Sequence, residues 1–248
     1  MKTPTRSPAD FEYSSPATTG WRGDTRRFRR YGAAATMILA PLSIALVRAS
    51  VPVVEPGSAV TGEEALTQTA ANLGRARLTF VLSVAAVLVL PLGMVALMRL
   101  VSRRSPVLGA VGGGLALIGW ALVPVLVVSD IVAYEMSRLD PASTQFAQLW
   151  ERIQANPAMV ALGAVFVLGH VVGMLLLAVG LRRGRLVPKW AAVAVAVGTL
   201  VHPVAVMALV NRPLDVLAHC LIVAGLVPAA AAALRMTDDE WDLRPVAG

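Results

Sequence analysis

The chain has 248 residues, 56% of them hydrophobic and only 15% charged, with a formal net charge of +7 and a mean hydropathy of +0.68. A water-soluble domain carries about a quarter charged residues and breaks its apolar residues into short periodic patterns, so this composition excludes an ordinary soluble fold. Cys220 is the single cysteine, which excludes an intrachain disulfide and a cysteine-built metal cluster.

Residues 1–30 are rich in Ser, Thr, Pro and Arg without apolar periodicity and read as a disordered basic tail. The tail ends in Arg26, Arg27, Arg29 and Arg30, a cluster expected to contact anionic lipid headgroups at ~1 kcal/mol per arginine. Six apolar runs follow, at 31–53, 78–101, 107–134, 158–181, 190–210 and 214–234. Each is long enough to cross about 30 Å of hydrocarbon as a helix, and the first is expected to remain in the mature protein because no convincing cleavage site follows it. The expected fold is therefore all-α: a polytopic bundle of six transmembrane helices. An acidic tail at 236–248, with Asp238, Asp239, Glu240 and Asp242, reads most simply as a solvated end, with a contact to the N-tail arginines as the alternative.

Charge sets the orientation. Sixteen Lys and Arg fall on the side of both termini and six on the other; positive charge stays inside, so both ends are expected in the cytoplasm and the chain in the plasma membrane. The same placement accounts for the positive net charge without a nucleic-acid partner.

An internal repeat runs through the middle of the chain. Residues 93–124 and 173–203 both open with Gly-Met, carry an arginine pair (Arg103 and Arg104; Arg182 and Arg183) and close with Gly-x-x-x-x-Pro, from Gly119 to Pro124 and from Gly198 to Pro203. Each hairpin is preceded by a short amphipathic helix on the outer side, giving repeat units at about 61–134 and 142–210. In the first, Thr61 and Glu64 form a capping box. In the second, Asp140-Pro141 reads as an N-cap with an N1 proline, and Phe146, Leu149, Trp150 and Ile153 share one face. Both are expected to cap the bundle. Gly109-x-x-x-Gly113 and Gly169-x-x-x-Gly173 let helices approach closely, within the chain or in a homo-oligomer. Prolines 41, 91, 124, 203 and 228 are candidate kinks.

Ionisable groups read inside the spans are Asp130, His170, His202 and His219, all at or beyond the midplane on the outer side. Such groups face the bundle interior and find partners. They are candidates for an outward-opening polar pocket, with the histidines as ligands and Asp130 as orienter or proton acceptor. The competing reading is hydrogen-bonding glue between helices. A haem clamped by His170 and His202 is a third. No metal-protease, hydrolase or paired-carboxylate motif is present, and no cofactor, metal or catalytic residue is assigned.

The segments Gly62-Glu-Glu-Ala-Leu66, Gly173-Met-Leu-Leu-Leu177 and Leu181-Arg-Arg-Gly-Arg-Leu-Val-Pro-Lys-Trp190 resemble a group of uncharacterised actinobacterial multi-pass membrane proteins of the domain-of-unknown-function kind. The resemblance covers residues 31–235 and implies a six-span plasma-membrane protein without implying a reaction. The leading expectation is a non-enzymatic structural, accessory or lipid-facing component. The alternative is a small-molecule or ion carrier, followed by a haem-bearing redox protein.

Overall fold

The computed structural model describes residues 25–51 and 61–242, and all regular structure among them is helical. In chain order the elements are α1 (Arg26–Ser50), α2 (Gly62–Ala71), α3 (Leu73–Ser102), α4 (Pro106–Trp120), α5 (Val123–Leu139), α6 (Thr144–Gln154), α7 (Pro157–Arg183), α8 (Lys189–Pro203), α9 (Arg212–Arg235) and α10 (Asp238–Trp241). A π-helical turn, Val204–Ala208, extends α8. Six stretches are long and apolar enough to cross a membrane: α1, α3, α4 with α5 (Pro106–Leu139), α7, α8 with its π turn (Lys189–Ala208), and α9. The chain is an all-α multi-pass membrane bundle.

The helices outrun the apolar runs that announce them. α1 begins at Arg26, inside the predicted tail, and α3 begins at Leu73, ahead of the apolar run. At 1.5 Å per residue, the 30 residues of α3 span about 45 Å, more than the hydrocarbon requires. The extra turns carry Arg75 and Arg77 past its end. The rest of the predicted tail, up to residue 24, lies outside the described residues.

The spans form a closed ring in the order α1, α3, α4, α7, α8, α9 and back to α1, each packed against its two neighbours. Glycine brings several of these backbones together. A Cβ on Gly173 of α7 would sit 2.4 Å from the Ala116 nitrogen of α4, and one on Gly198 of α8 would sit 2.4 Å from the Ala218 carbonyl oxygen of α9. In lipid, where apolar burial drives nothing, such close approach supplies the dispersion that holds helices together. The paired glycines at 169 and 173 thus serve contacts inside the chain.

Both hairpins interrupt their second helix at the Gly-x-x-x-x-Pro motif. α4 stops at Trp120 and α5 restarts at Val123 with Pro124 in its first turn, while α8 ends at Pro203 and passes into the π turn. Proline lacks the donor the preceding turn needs, so the backbone either breaks or widens. Pro41, Pro91 and Pro228 sit inside continuous helices instead.

At the end of the bundle away from the termini, α2 packs on α5, α3 and α6. Its capping box is formed as expected: the Thr61 side chain accepts from the Glu64 N–H, and Glu64 accepts from the Thr61 N–H. Leu66, Met136 and Ala147 make a small apolar cluster beneath, with Phe146 and Trp150 against it. One expectation is corrected. Asp140 does not cap α6; it accepts from Ala142 N–H at 3.2 Å in a turn, and Ser143 caps the helix through Phe146 N–H. Two short polar side chains compete for the helix start, and the nearer one wins.

Candidate functional site

The centre of the ring is polar at one depth. Asp215, in the first turn of α9, is fully buried. Its carboxylate accepts from the Nε–H of Arg48 in the last turn of α1 and from His202 Nδ1 at 2.6 Å. His219, one turn further along α9, places Nδ1 3.0 Å from the Asp215 carbonyl oxygen and 3.4 Å from the carboxylate. Arg212 stands 3.9 Å from the second carboxylate oxygen. Three helices therefore meet on one acidic side chain.

The histidines form a row. Ring centroids of His170 and His202 lie 5.6 Å apart, and those of His202 and His219 lie 4.6 Å apart. His170 Nδ1 lies 2.6 Å from the Phe166 carbonyl oxygen. A carbonyl can only accept, so Nδ1 carries the proton of neutral His170 and Nε2 keeps its lone pair. The same logic applies to His219 against its carbonyl partner and to His202 against the carboxylate. Each ring is fixed through Nδ1, so in the neutral imidazole Nε2 carries the lone pair. His170 Nε2 is buried without a hydrogen-bond partner.

All three imidazoles line an axial cavity of about 30 Å³ to which every span contributes, space for a water or an ion. Trp120 and Phe166 stack against His170, with centroids at 5.1 and 4.5 Å. A porphyrin has no room there, so the haem reading does not fit these residues. Larger chambers open beside the cavity, of about 320, 240 and 220 Å³, and Arg48 lines all three. The largest is walled by Thr79, Ser83, Asp130, Tyr134 and Arg212 as well.

The structure thus brings His170, His202 and His219 together on the axial cavity, while Asp130 is off that cavity and meets only His202 among them, across a neighbouring chamber. Asp130 faces the chambers, is exposed, and receives no hydrogen bond or ion pair among the described residues. The orienting carboxylate is Asp215. It lies at the very start of the sixth apolar run, where it reads as a polar span end, yet its i, i+4 spacing to His219 was a usable signal. Arg48 reads from sequence only as an orientation charge.

The arginine cluster at the other end also has protein partners. Arg26 pairs with Asp239, Arg29 with Asp242 at 3.0 Å and Arg30 with Asp238 at 3.0 Å. Arg99 pairs with Asp242, and Arg103 donates to the Trp241 carbonyl. Trp241 is 1% exposed, with the guanidinium groups of Arg99 and Arg103 over its ring at 5.4 and 5.8 Å. Burial, and then neighbouring Arg99, draw the Arg103 pKa below its ordinary value. Residues 237–242 are a docked latch, which corrects the solvated acidic tail expected there; residues 243–248 lie outside the described residues. Of the four predicted lipid-contact arginines, Arg27 has no carboxylate partner among the described residues and lies 5.6 Å from the Tyr31 ring.

No family model, curated protein or solved structure matches the chain.

Proposed function

We propose that the chain is a non-enzymatic carrier of the plasma membrane, with both termini cytoplasmic, that admits a small charged solute from the outer side. The solute enters the chamber walled by Arg48, Asp130 and Arg212. The observation that carries this reading is Asp215, a wholly buried carboxylate held by Arg48, His202 and His219 beside chambers of small-molecule size. Ionisable groups within spans are costly and mark solute or ion pathways. A purely structural component has little use for them, because a buried ion pair is a poor source of stability compared with apolar packing. The orientation follows from the excess of Lys and Arg at the end that carries both termini. At that end Arg27 and the exposed Phe28 are placed to meet anionic headgroups.

The test uses proteoliposomes of phosphatidylcholine and phosphatidylglycerol on a solid support. They are challenged with concentration jumps of small amines, zwitterions, carboxylates and phosphates. At least one class produces a transient current, and that current disappears in Asp215→Asn. A folded protein silent toward all four classes refutes the carrier reading.

A further inference from the structure

We infer that the axial cavity is a binding site for a soft transition-metal ion, copper(I) first, held by Nε2 of His170, His202 and His219 with the Met174 thioether beside them. This goes beyond the carrier reading and stands whether or not the chambers pass a solute. Four observations meet here.

The first is orientation. In metal sites the ligating histidine donates its other ring N–H to a carboxylate or a backbone carbonyl, which fixes the tautomer and aims the lone pair. All three rings have this arrangement: His202 on the Asp215 carboxylate, His219 on the Asp215 carbonyl and carboxylate, and His170 on the Phe166 carbonyl. Asp215 thus orients the imidazoles of His202 and His219, and Arg48 occupies its other oxygen.

The second is spacing. A metal–nitrogen bond of about 2.0–2.1 Å places imidazole centroids about 5–5.5 Å apart around a tetrahedral or trigonal ion. The neighbouring pairs at 5.6 and 4.6 Å bracket that separation. His202 stands in the middle of the row, and binding draws His170 and His219 onto the same ion.

The third is the orphaned acceptor. His170 Nε2 is buried with no hydrogen-bond partner, and its ring lines the cavity. A lone pair buried in an apolar wall is costly, and a metal ion satisfies it where no protein donor does.

The fourth selects the ion. Met94 and Met174 line the same cavity, are nearly inaccessible to solvent and add soft thioether sulfur to imidazole nitrogen, a donor set that favours copper(I). His170 and Met174 are one helical turn apart on α7 and so share a face. Charge agrees with this choice. Arg48 and Arg212 balance Asp130 and Asp215, so a single added charge is accommodated in this apolar setting more readily than two.

The full chain in detergent, reduced and copper-free, is titrated with copper(I) against bicinchoninate, and bound metal is counted by elemental analysis. One equivalent per chain is expected. The His170→Ala/His202→Ala double variant weakens binding by about 100-fold or more, and Asp215→Asn by about 10–100-fold through lost orientation. Met174→Leu weakens copper(I) while leaving zinc unchanged. Thermal melts identify any variant that fails to fold, and His202→Gln then replaces it. Copper retention no greater than in the double variant overturns the site. Zinc held more tightly than copper(I), with Met174→Leu silent toward both, overturns the assignment of the ion.

Discussion

Gly173→Ala tests the packing that holds the histidines in register. A methyl at this position would lie 2.4 Å from the Ala116 nitrogen and 2.6 Å from the Gly112 carbonyl oxygen, where ordinary contact begins at 3.4 Å. Both obstacles are backbone of α4, so no side chain can turn aside and the two helices must part by about 1 Å. A gap of that size forfeits up to about half of the dispersion attraction across it, and overpacking against backbone belongs at the upper end of its range, about 3 kcal/mol. Alanine returns about 1 kcal/mol of helix propensity, which leaves a net loss of roughly 2 kcal/mol. Gly114 of α4 and Gly163 of α7 are internal controls, because a Cβ at either meets nothing within 4 Å; alanine there should stabilise by about 1 kcal/mol. Equilibrium unfolding in mixed detergent, followed by tryptophan fluorescence, should separate Gly173→Ala from Gly114→Ala by roughly 3 kcal/mol. Equal midpoints for the two would refute the close α4–α7 contact.

Asp215→Ala removes the shared partner of Arg48, His202 and His219; because Arg48 is partly exposed on the chamber wall, the cost in the same assay should fall below the roughly 3–5 kcal/mol of a fully buried pair, and adding Arg48→Met should recover part of it, giving a measurable coupling energy. Thr237 hydrogen bonds hold Glu240 below its ordinary pKa, the backbone bond first and then the side-chain bond. Its folded-state value is depressed, so its contribution to latch docking is complete above the ordinary glutamate pKa and fades as pH falls through the lowered one. Trp241 emission should shift to the red over that acid range, and Glu240→Gln should remove this component. Trp241→Ala should release the latch and make residues 237–242 sensitive to added protease, while the spans stay folded. In a Cys220→Ser background, Asp130→Cys should react with a membrane-impermeant maleimide added to intact cells, and a cysteine replacing Ala116, which is fully buried, should not.

The number and placement of the spans were legible because lipid imposes one overriding requirement. Peptide groups without water must pair within their own helix, and runs of apolar residues declare where that happens. The Thr61 capping box was legible for the same local reason. The three histidines could be named as candidates, but their convergence could not, because apolar-all-round helices carry no periodicity to show which face turns inward. That also hid Trp120 and Phe166, which form an aromatic wall against His170. Asp215 was missed because it is the second residue of the sixth apolar run, directly after Asn211, Arg212 and Pro213, where a carboxylate reads as part of a polar span end. The latch was the lesser of two readings because its meaning lies in Arg26, Arg29, Arg30, Arg99 and Arg103, more than a hundred residues earlier in the chain. Taken locally, Asp238, Asp239, Glu240 and Asp242 are indistinguishable from an end that water alone surrounds.

Ring closure has a consequence for biogenesis. Among the six described spans α1 is made first, and one of its two neighbours, α9, is made last. Arg48 therefore waits in the half-built bundle for a counter-ion translated 167 residues later, with Asp130 the earlier carboxylate facing the same chamber. Insertion of α9 zips the seam, and α10 behind it carries its acidic clip onto the arginines of α1.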